Sequence, residues 1–373
     1  MISDPKSKRI AVLGAGGFVG SRLMEQAALT PAWTFVPVLR SPRNLARLSK
    51  LDVTARFADT RCVESLATAL EGHEVVINLA AGDWTSIRAD AALAYEASVR
   101  AGCRLLIHLS SAVVFGRVPS PDIHDDSPPD LRSWMLYARE KGQAENFLRA
   151  RINGKGPRVV VLRPGLVWGP RSPWSALPAR QLALGSAWLG RSGMGACNLV
   201  HVDNLLRYVR QVLQSPAVAS GFYNVADPGG VTWREFYEAV ADGLGYPRTR
   251  IRFTEAGPRV ASPGAVLDWL KQRPPFYRLM KSLLKMLSSE SKSKLKYRLP
   301  AIAGGRFQPA CPVDSVSPCR TPALTREHWA LHNTLNRLPT AKFALEFGDP
   351  GLMSFEQGMA ATLPWLRFAG YEA

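Results

Sequence analysis

The sequence predicts a doubly wound α/β fold, in which helices cover both faces of a parallel β-sheet. Short, continuously apolar runs alternate with segments of helical periodicity over the first half of the chain, and a glycine-rich turn follows the first run. Strands buried on both faces are apolar throughout, and helices between successive strands make those strands parallel. The 373 residues exceed what one hydrophobic core usually holds, so we expect a second, smaller lobe.

Apolar runs locate the strands, and a periodicity of about 3.6 residues locates the helices. We predict strands at residues 9–13, 34–39, 56–58, 74–79, 104–109 and 158–162, and helices after the glycine turn and at residues 62–70, 89–100, 233–244 and 355–366. Thr232 and Glu235 have the spacing of a capping box in front of the 233–244 helix. Residues 304–322 are rich in Pro, Gly and Ser, which predicts a loop.

The turn after the first strand reads Gly14-Ala15-Gly16-Gly17-Phe18-Val19-Gly20 and opens a helix. Glycines in this context permit a tight turn, let the backbone approach a pyrophosphate and let the helix pack on the strand. The helix N-terminus attracts the anion. The pattern predicts a Rossmann-type NAD(P)-binding domain over residues 1–170, with further chain at 195–228. We assign residues 171–194 and 229–373 to a smaller, mainly helical substrate-binding lobe.

Two arginines follow the second predicted strand. Arg40 and Arg43 stand where an acidic residue would bind the free ribose 2′-hydroxyl of NAD, and an arginine there pairs with the 2′-phosphate of NADP. We therefore expect NADP as the cofactor, with NAD as the open alternative. Asp59, after the third strand, is placed to accept a hydrogen bond from the adenine amino group or to cap the next helix.

A tyrosine and a lysine four residues apart form the candidate catalytic pair. Tyr137 and Lys141 share one face of a predicted helix, where the ammonium would lower the pKa of the phenol. That makes Tyr137 a usable acid or base near neutral pH. Ser111 follows an apolar strand, and a hydroxyl at the carboxyl end of a parallel strand faces the crevice where ligands bind.

Together these motifs resemble the extended short-chain dehydrogenases/reductases, which include NAD(P)-dependent nucleotide-sugar epimerases, dehydratases and reductases. Besides the glycine turn and the Tyr137–Lys141 pair, the similar segments are residues 58–59, 78–81, 110–116, 163–170 and 200–204. The resemblance implies that Ser111 orients the substrate oxygen, Tyr137 is the acid/base, and Lys141 binds the nicotinamide ribose and tunes the tyrosine. It also implies a set of residues around the dinucleotide: Gly14, Gly17, Phe18, Val19, Gly20, Leu79, Ala80, Ala81, Pro164 and Val167.

Two departures from the family pattern narrow the expected reaction. Residues 87–100 contain no asparagine, so the water relay that many members run through such a residue has no counterpart there. Ala112 and Val113 follow Ser111 where dehydratases carry an acidic pair, so dehydration is not expected.

The net charge of +17, from 47 Lys and Arg against 30 Asp and Glu, favours anionic partners. Nucleic acid is not expected, because the basic residues are spread along the chain and no motif for it is found. The basic insert 264–300 contains an amphipathic pattern at 276–298, whose apolar residues either pack into the substrate lobe or contact a membrane surface. Neither a signal peptide nor a spanning segment is found, so we expect a cytoplasmic protein, with peripheral contact to the inner face of a membrane left open.

No metal site is expected, since the five cysteines form no CxxC pair and the pair His328 and His332 lacks a third ligand nearby. The sequence thus predicts an NADP(H)-dependent oxidoreductase that moves a hydride between the nicotinamide and a secondary alcohol or ketone. The substrate would be a small molecule, either a sugar nucleotide or lipid-like. The alternatives are an NAD-dependent nucleotide-sugar epimerase and a cofactor-sensing binding or scaffold protein without turnover. The family resemblance also implies a homodimer.

Overall fold

The computed structural model describes residues 8–29, 33–116, 122–257, 270, 272–286 and 324–373. The strands are β1 (Lys8–Leu13), β2 (Trp33–Leu39), β3 (Arg56–Phe57), β4 (Val75–Asn78), β5 (Leu105–Leu109), β6 (Arg158–Pro164), β7 (Leu166–Trp168), β8 (Trp188–Gly190), β9 (Ala196–Cys197), β10 (Leu199–His201), β11 (Gly221–Val225), β12 (Val231–Thr232) and β13 (Arg252–Thr254). The helices are α1 (Phe18–Ala27), α2 (Val63–Leu70), α3 (Ile87–Arg100), α4 (Leu136–Arg149), α5 (Pro173–Ala183), α6 (Val202–Gln214), α7 (Trp233–Leu244), α8 (Pro274–Met286), α9 (Arg326–His332), α10 (Ala341–Phe347) and α11 (Phe355–Phe368).

Seven parallel strands form the central sheet, in the order β11-β6-β5-β4-β1-β2-β3. β1 therefore lies between β2 and β4, where the strand order reverses. A doubly wound sheet leaves its ligand crevice at this point, outside the carboxyl ends of the strands. The arrangement confirms the doubly wound α/β fold that the sequence predicts.

Two apolar layers cover the faces of this sheet. Ile10 and Val12 of β1 belong to the layer that contains α1 and α6, whereas Ala11 and Leu13 belong to the layer that contains α2, α3 and part of α4. Successive residues of a strand point to opposite faces, so a sheet covered on both sides needs every residue apolar. This explains why the run predicts a strand without alternating polarity.

A third core fills the smaller lobe. It is built around the buried rings of Trp168, Trp233, Phe236 and Tyr237, with α5, α7 and α11 packed about them. Three two-stranded ribbons, β7–β10, β9–β12 and β8–β13, complete the lobe. The ribbons are two or three residues long and were not predicted.

Helix α10 lies against the central sheet rather than in the smaller lobe. Phe343 and Phe347 belong to the same core as β1 and contact Tyr208 and Tyr223. Residues 341–347 therefore pack with the sheet, although the sequence assigned the whole range 229–373 to the other lobe.

The predicted elements differ from the observed ones mainly at their ends. Helix α3 begins at Ile87, because Asp83 accepts a hydrogen bond from the Thr85 N–H and starts a short 3-10 turn that leads into it. β6 continues to Pro164, and α11 continues to Phe368. The predicted loop at 304–322, Cys311, Cys319 and most of the 264–300 insert lie outside the described residues.

Candidate functional site

The glycine turn joins β1 to α1 with its backbone packed too tightly for larger residues. Gly14 has a left-handed φ of 80°, and a Cβ there would lie 2.8 Å from the Leu79 carbonyl carbon. A Cβ on Gly20 would overlap the Gly14 carbonyl oxygen and lie 2.7 Å from the Ala15 Cα. Gly17 is the N-cap, and the helix begins at Phe18 and Val19. The first N–H groups of a helix have no acceptor within it, so the turn fits a diphosphate.

The backbone after β4 forms the second wall of the same crevice. The Leu79 N–H donates to the Leu13 carbonyl at 2.9 Å, and the Ala80 N–H donates to Oδ1 of the buried Asn78 at 3.1 Å. These bonds hold Leu79 and Ala80 against Gly14, and the exposed Ala81 follows. The three residues that the resemblance assigns to the dinucleotide thus lie beside the glycine turn.

Three arginines surround the carboxyl end of β2. Arg40 follows the strand directly, is exposed and lies beside Gly82. Arg43 is exposed in the 3-10 helix Pro42–Arg47, and Arg47 at the end of that helix donates to the Gly16 carbonyl at 3.3 Å. Sequence reasoning missed Arg47, although its place four residues after Arg43 was an available signal.

Asp59 lies exposed after β3 and is bonded to its neighbour. Its carboxylate accepts hydrogen bonds from the backbone N–H and the Nε of Arg61, at 3.0 and 3.1 Å. These bonds hold the pKa of Asp59 below its usual value. The N-cap of α2 is Cys62, so the capping alternative for Asp59 is wrong. Its contact with adenine stays a prediction.

Ser111, Tyr137 and Lys141 each contact residues 109–115 at the carboxyl end of β5. Ser111 caps the 3-10 helix Ala112–Phe115, and its Oγ accepts a hydrogen bond from the Val113 N–H at 3.3 Å. Tyr137, in the first turn of α4, is half-buried and packs against Val113. One turn later, the Lys141 Nζ donates to the Leu109 carbonyl at 2.6 Å. The catalytic roles of these three residues stay predictions.

Lys141 is a cation inside the protein, with 2% of its surface exposed. Burial lowers the pKa of Lys141 from its ordinary 10.5 to about 8, and the nearby Glu145 carboxylate opposes this shift. A lysine with that pKa is still mostly protonated at neutral pH. It can therefore stabilise a phenolate on the tyrosine one turn away.

Behind these residues lies a buried ion pair that the sequence did not reveal. Glu145 and Arg163 are both fully buried, and their side chains approach to 2.6 Å. The Ser110 hydroxyl donates to Glu145 Oε1 at 2.5 Å, and Arg163 Nη1 donates to the Asp125 carbonyl at 2.6 Å. The pair thus joins α4 to the ends of β5 and β6, next to Ser111.

The carboxyl ends of β5 and β6 open into a cleft of about 670 Å³, a volume that includes open solvent. Ser111 and the buried Pro164 lie in its wall, and Val167 follows Pro164 in β7, half-buried. Most of the lining residues are apolar: Ala112, Val113, Phe115, Ile123, Pro164, Leu166, Ala196, Leu331 and Leu338. The polar lining includes Asn198, Thr334, Asn336 and Arg337.

The segment that contains α8 contacts α4, the helix that carries Tyr137 and Lys141. Gln272 Oε1 accepts a hydrogen bond from the Leu136 N–H at 2.8 Å. The Tyr277 ring stacks on Trp84, with centroids 5.8 Å apart, and the Trp84 ring lies 5.7 Å from that of Tyr137. Sequence reasoning missed these contacts because Gln272 lies 136 residues after Leu136, and no local pattern joins them.

Two histidines that the sequence singled out have structural partners. His201 is fully buried, accepts a hydrogen bond from the Asp203 N–H at 3.2 Å and packs on Trp168. His332 accepts one from the Gly190 N–H at 3.2 Å, and burial lowers the pKa of its ring from 6.5 to about 3. Within the described residues, no group of three or more His, Cys, Asp or Glu side chains could hold a metal ion.

A model of the NAD-dependent epimerase/dehydratase family matches residues 10–226, more than half of the chain. The chain belongs to this family. The match confirms the resemblance to the extended short-chain dehydrogenases/reductases, and with it the prediction of an NAD(P)-dependent enzyme. The part of this epimerase/dehydratase member that the family model covers includes the glycine turn and all three candidate catalytic residues.

Relatives of this family member act on different substrates. The chain is 24% identical to an N-acetyl-alpha-D-glucosaminyl-diphospho-ditrans,octacis-undecaprenol 4-epimerase of Escherichia coli O157:H7, over 63% of this chain and 72% of the relative. It is 28% identical to a 2-alkyl-3-oxoalkanoate reductase of Shewanella oneidensis, over 43% of this chain and 45% of the relative.

Solved structures share the fold over nearly the whole length. A dTDP-glucose 4,6-dehydratase from Streptomyces venezuelae with NAD bound has a TM-score of 0.66 at 20% identity, and the match covers 96% of this chain and 97% of that one. A UDP-glucose 4-epimerase from Thermus thermophilus with NAD has a TM-score of 0.61 at 19% identity, covering 96% and 99%. In the described part of this family member, no helix has the length and apolar character needed to cross a membrane.

Proposed function

We propose that this family member is an NADP(H)-dependent oxidoreductase that interconverts a secondary alcohol and a ketone. The observation that supports the proposal is that Ser111, Tyr137 and Lys141 each contact residues 109–115 at the end of β5. β5 is two strands from β1 in a parallel sheet, so the glycine turn and these side chains share one edge. Ligands of doubly wound proteins bind outside that edge.

The glycine turn fits a dinucleotide, since it packs its backbone as tightly as a diphosphate-binding turn requires. Only glycine allows this packing, because Cβ atoms on Gly14 and Gly20 would collide with the neighbouring backbone. A bound nicotinamide supplies or accepts the hydride, and the protein supplies positioning and electrostatics.

Residues of the chain handle the proton and the substrate oxygen. In the reductive direction, the Ser111 hydroxyl donates a hydrogen bond to the substrate carbonyl oxygen, and Tyr137 gives its phenolic proton to the same oxygen. The Lys141 ammonium stabilises the phenolate that remains, since an opposite charge favours the ionised form. Solvent then reprotonates Tyr137. In the oxidative direction the phenolate takes the proton from the alcohol.

NADP rather than NAD is proposed because of the charge at the end of β2. Arg40 and Arg43 are exposed, and Arg40 lies beside the backbone that follows β4. Arginine pairs with a phosphate through two parallel hydrogen bonds, which suits it to the 2′-phosphate of NADP. Asp59 would accept from the adenine amino group nearby.

We infer an amphiphilic substrate that carries an anionic group. Apolar side chains line most of the cleft, and Arg337 is the one charged residue among its described lining residues. The Escherichia coli relative is named for a sugar joined through a diphosphate to undecaprenol, and the Shewanella relative for an alkylated oxoalkanoate. Both names describe an apolar chain beside a polar head. A sugar nucleotide is the alternative substrate, and Ala112 and Val113 beside Ser111 disfavour a dehydratase.

A 4-epimerase is the second candidate, favoured by the name of the Escherichia coli relative. An epimerase alternates oxidation and reduction in one site and keeps its dinucleotide bound. Unfolding of the purified protein would then release NAD in equal amount to the chain. Such release, without measurable affinity for added NADPH, would contradict the NADP proposal.

Replacement of Tyr137 by phenylalanine tests the proposed mechanism. Removal of a general acid typically lowers the rate about 10²–10⁴-fold, so NADPH oxidation with a panel of lipid-linked and nucleotide-linked keto sugars should fall by that factor. NADPH binding, followed by fluorescence, should persist. Tyr371→Phe is the matched control, because Tyr371 is buried in the core of the smaller lobe. A Tyr137→Phe enzyme that retains the full rate would show the mechanism to be wrong.

A further inference from the structure

We propose that α8 docks this enzyme on an anionic lipid bilayer, with the catalytic tyrosine next to the docked surface. The proposal rests on the proposed function in one respect, because it explains how an amphiphilic substrate reaches the cleft. Docking itself does not require turnover, so it can be tested alone.

The outer side of α8 exposes apolar side chains. Leu279 and Leu283 are one helical turn apart, and 57% and 55% of their surfaces are exposed. Residues four apart share a helix face, so the two leucines form a continuous patch. Trp84, whose ring stacks on Tyr277 of α8, is itself 37% exposed. Tryptophan and tyrosine rings favour the boundary between bilayer and water.

The charge of the same segment identifies the occupant of this surface. Residues 273–286 include Arg273, Arg278, Lys281 and Lys285 and no acidic residue. Arg273 and Arg278 are exposed. A basic helix with exposed leucines matches an interface of anionic headgroups above acyl chains. The net charge of +17 attracts the chain to the same surface.

A carboxylate of the neighbouring helix α4 interacts with a guanidinium of α8. Glu140 of α4 interacts with Arg278, but it also interacts with Arg88 and Arg139. One carboxylate thus faces three guanidinium groups where α8 meets α3 and α4.

The inner side of the segment is bonded to the catalytic helix. Gln272 accepts the N–H of Leu136, the residue before Tyr137, and Arg139 Nη2 donates to the Gln272 carbonyl at 3.0 Å. Tyr277 and Trp84 form a stack that ends on the Tyr137 ring. A bilayer in contact with the outer side of α8 is therefore separated from the proposed acid by α8 itself and by the rings of Tyr277 and Trp84. A substrate anchored by an apolar chain could then be presented without leaving the membrane.

Vesicle flotation of the full chain tests the docking surface. We expect the protein to float with mixed phosphatidylglycerol–phosphatidylcholine vesicles and to stay unbound with pure phosphatidylcholine. Leu279→Ser combined with Leu283→Ser should weaken partitioning about tenfold or more, because two apolar contacts are lost. Arg278→Gln, which removes one positive charge at an exposed position, should weaken partitioning about fivefold.

Leu345→Ser is the matched control, since Leu345 of α10 is 86% exposed and lies outside the patch. It should float like the unaltered protein. The proposal is overturned if the leucine variant floats normally, if no anionic vesicle binds, if a DNA duplex binds more tightly than the vesicles, or if the variant changes only the oligomeric state. NADPH oxidation with a water-soluble ketone should be the same in all these variants, so failure of docking and failure of the proposed function are separable.

Discussion

At the residue scale, the proposed cofactor preference depends on Arg40. Its exposed guanidinium lies at the end of β2 beside Gly82, so it faces the crevice between the ends of β2 and β4. A hydrogen bond to a charged group contributes roughly 1.5–3 kcal/mol, or about ten- to hundredfold in Kd. We expect Arg40→Ala to raise the Kd for NADPH by that factor and to leave the Kd for NADH within about twofold. Fluorescence titration measures both constants.

Arg104→Ala serves as the control for this prediction. Arg104 is exposed beside the amino end of β5, at the edge of the sheet opposite the crevice. Its replacement should change neither constant. A loss of NADH affinity equal to the loss of NADPH affinity would show that Arg40 does not bind the 2′-phosphate.

Glu145 is the residue whose removal should cost the most stability near the site. It is fully buried against Arg163, and it also accepts the Ser110 hydroxyl. Breaking a buried pair leaves an uncompensated charge, which typically costs 3–5 kcal/mol, or roughly 4 here. We expect Glu145→Gln to lower the free energy of unfolding in urea by that amount. Glu64→Gln, which breaks the exposed pair with Arg100, should leave the free energy of unfolding nearly unchanged; equal losses would contradict the argument.

Spacing along the chain predicted the neighbours on one helix but not the partners across elements. Tyr137 and Lys141 lie four residues apart, and the structure places them as expected. Glu145 lies four residues after Lys141, which suggests an ion pair on a helix surface. In the structure Lys141 bonds to the Leu109 carbonyl and Glu145 bonds to Arg163. Those partners come from β5 and β6, and only tertiary packing brings them together.

At the scale of elements, the sequence predicted the helices and strands whose signals are local and extend over enough residues to form a pattern. α7 begins where the capping box was expected: Thr232 accepts the Glu235 N–H, and the Glu235 side chain accepts the Thr232 N–H. The two-stranded ribbons of the smaller lobe were not predicted. β9 and β12, for example, have two residues each, which is too short for a periodic pattern. β9 instead bonds to a residue far along the chain, since the Ala196 N–H donates to the Thr334 carbonyl at 2.6 Å.

The packing of α1 on the glycine turn can be tested through dinucleotide binding. A Cβ on Gly20 would collide with the backbone of Gly14 and Ala15, so α1 would have to move away from β1. The first N–H groups of α1 would then be misplaced for a diphosphate. We expect Gly20→Ala to raise the Kd for NADPH and for NADH together, by about tenfold or more.

The matched control for that test is Gly257→Ala. A Cβ at Gly257 would meet its nearest atom, in Trp329, at 3.6 Å, an ordinary contact. Dinucleotide titration should give the unaltered constants. Unchanged binding by Gly20→Ala would mean that the turn does not hold the diphosphate.

At the scale of the whole molecule, a few partly buried polar groups join segments distant in the sequence. Asp227 accepts hydrogen bonds from Trp168 Nε1 at 2.6 Å, from the His201 N–H at 2.8 Å and from Asn204 Nδ2 at 2.7 Å. Asp203 then pairs with Arg22 of α1 at 2.7 Å. The placement of residues 195–228 with the dinucleotide-binding domain was predicted from the sequence pattern. The insertion of α10 into the sheet core could not be, since a seven-residue helix carries too little pattern to reveal its partner.

Buried histidines make the stability of the whole molecule depend on pH in a direction that can be derived. Burial lowers the pKa of His332 and of His108 to about 3, from an ordinary 6.5. Between those values the unfolded chain binds a proton at each ring and the folded chain does not. The contribution of the two neutral rings to the free energy of unfolding is therefore fully present above about pH 6.5. It is lost as the pH falls toward 3, by up to roughly 1.4 kcal/mol per pH unit for each ring.

His332→Asn isolates one of these contributions. The asparagine oxygen can still accept the Gly190 N–H that His332 Nδ1 accepts, but it takes up no proton. The free energy of unfolding of the His332→Asn variant will be lower at every pH, because the contact with the Trp233 ring is lost. The informative quantity is the slope of the unfolding free energy against pH, measured in urea between about pH 4 and about pH 6, which should fall by roughly 1.4 kcal/mol per unit. His124→Asn, at an exposed position, should leave the slope as it is. If both variants keep the unaltered slope, then the folded protein protonates His332 readily, and the ring is not held neutral by its burial between α7 and β8.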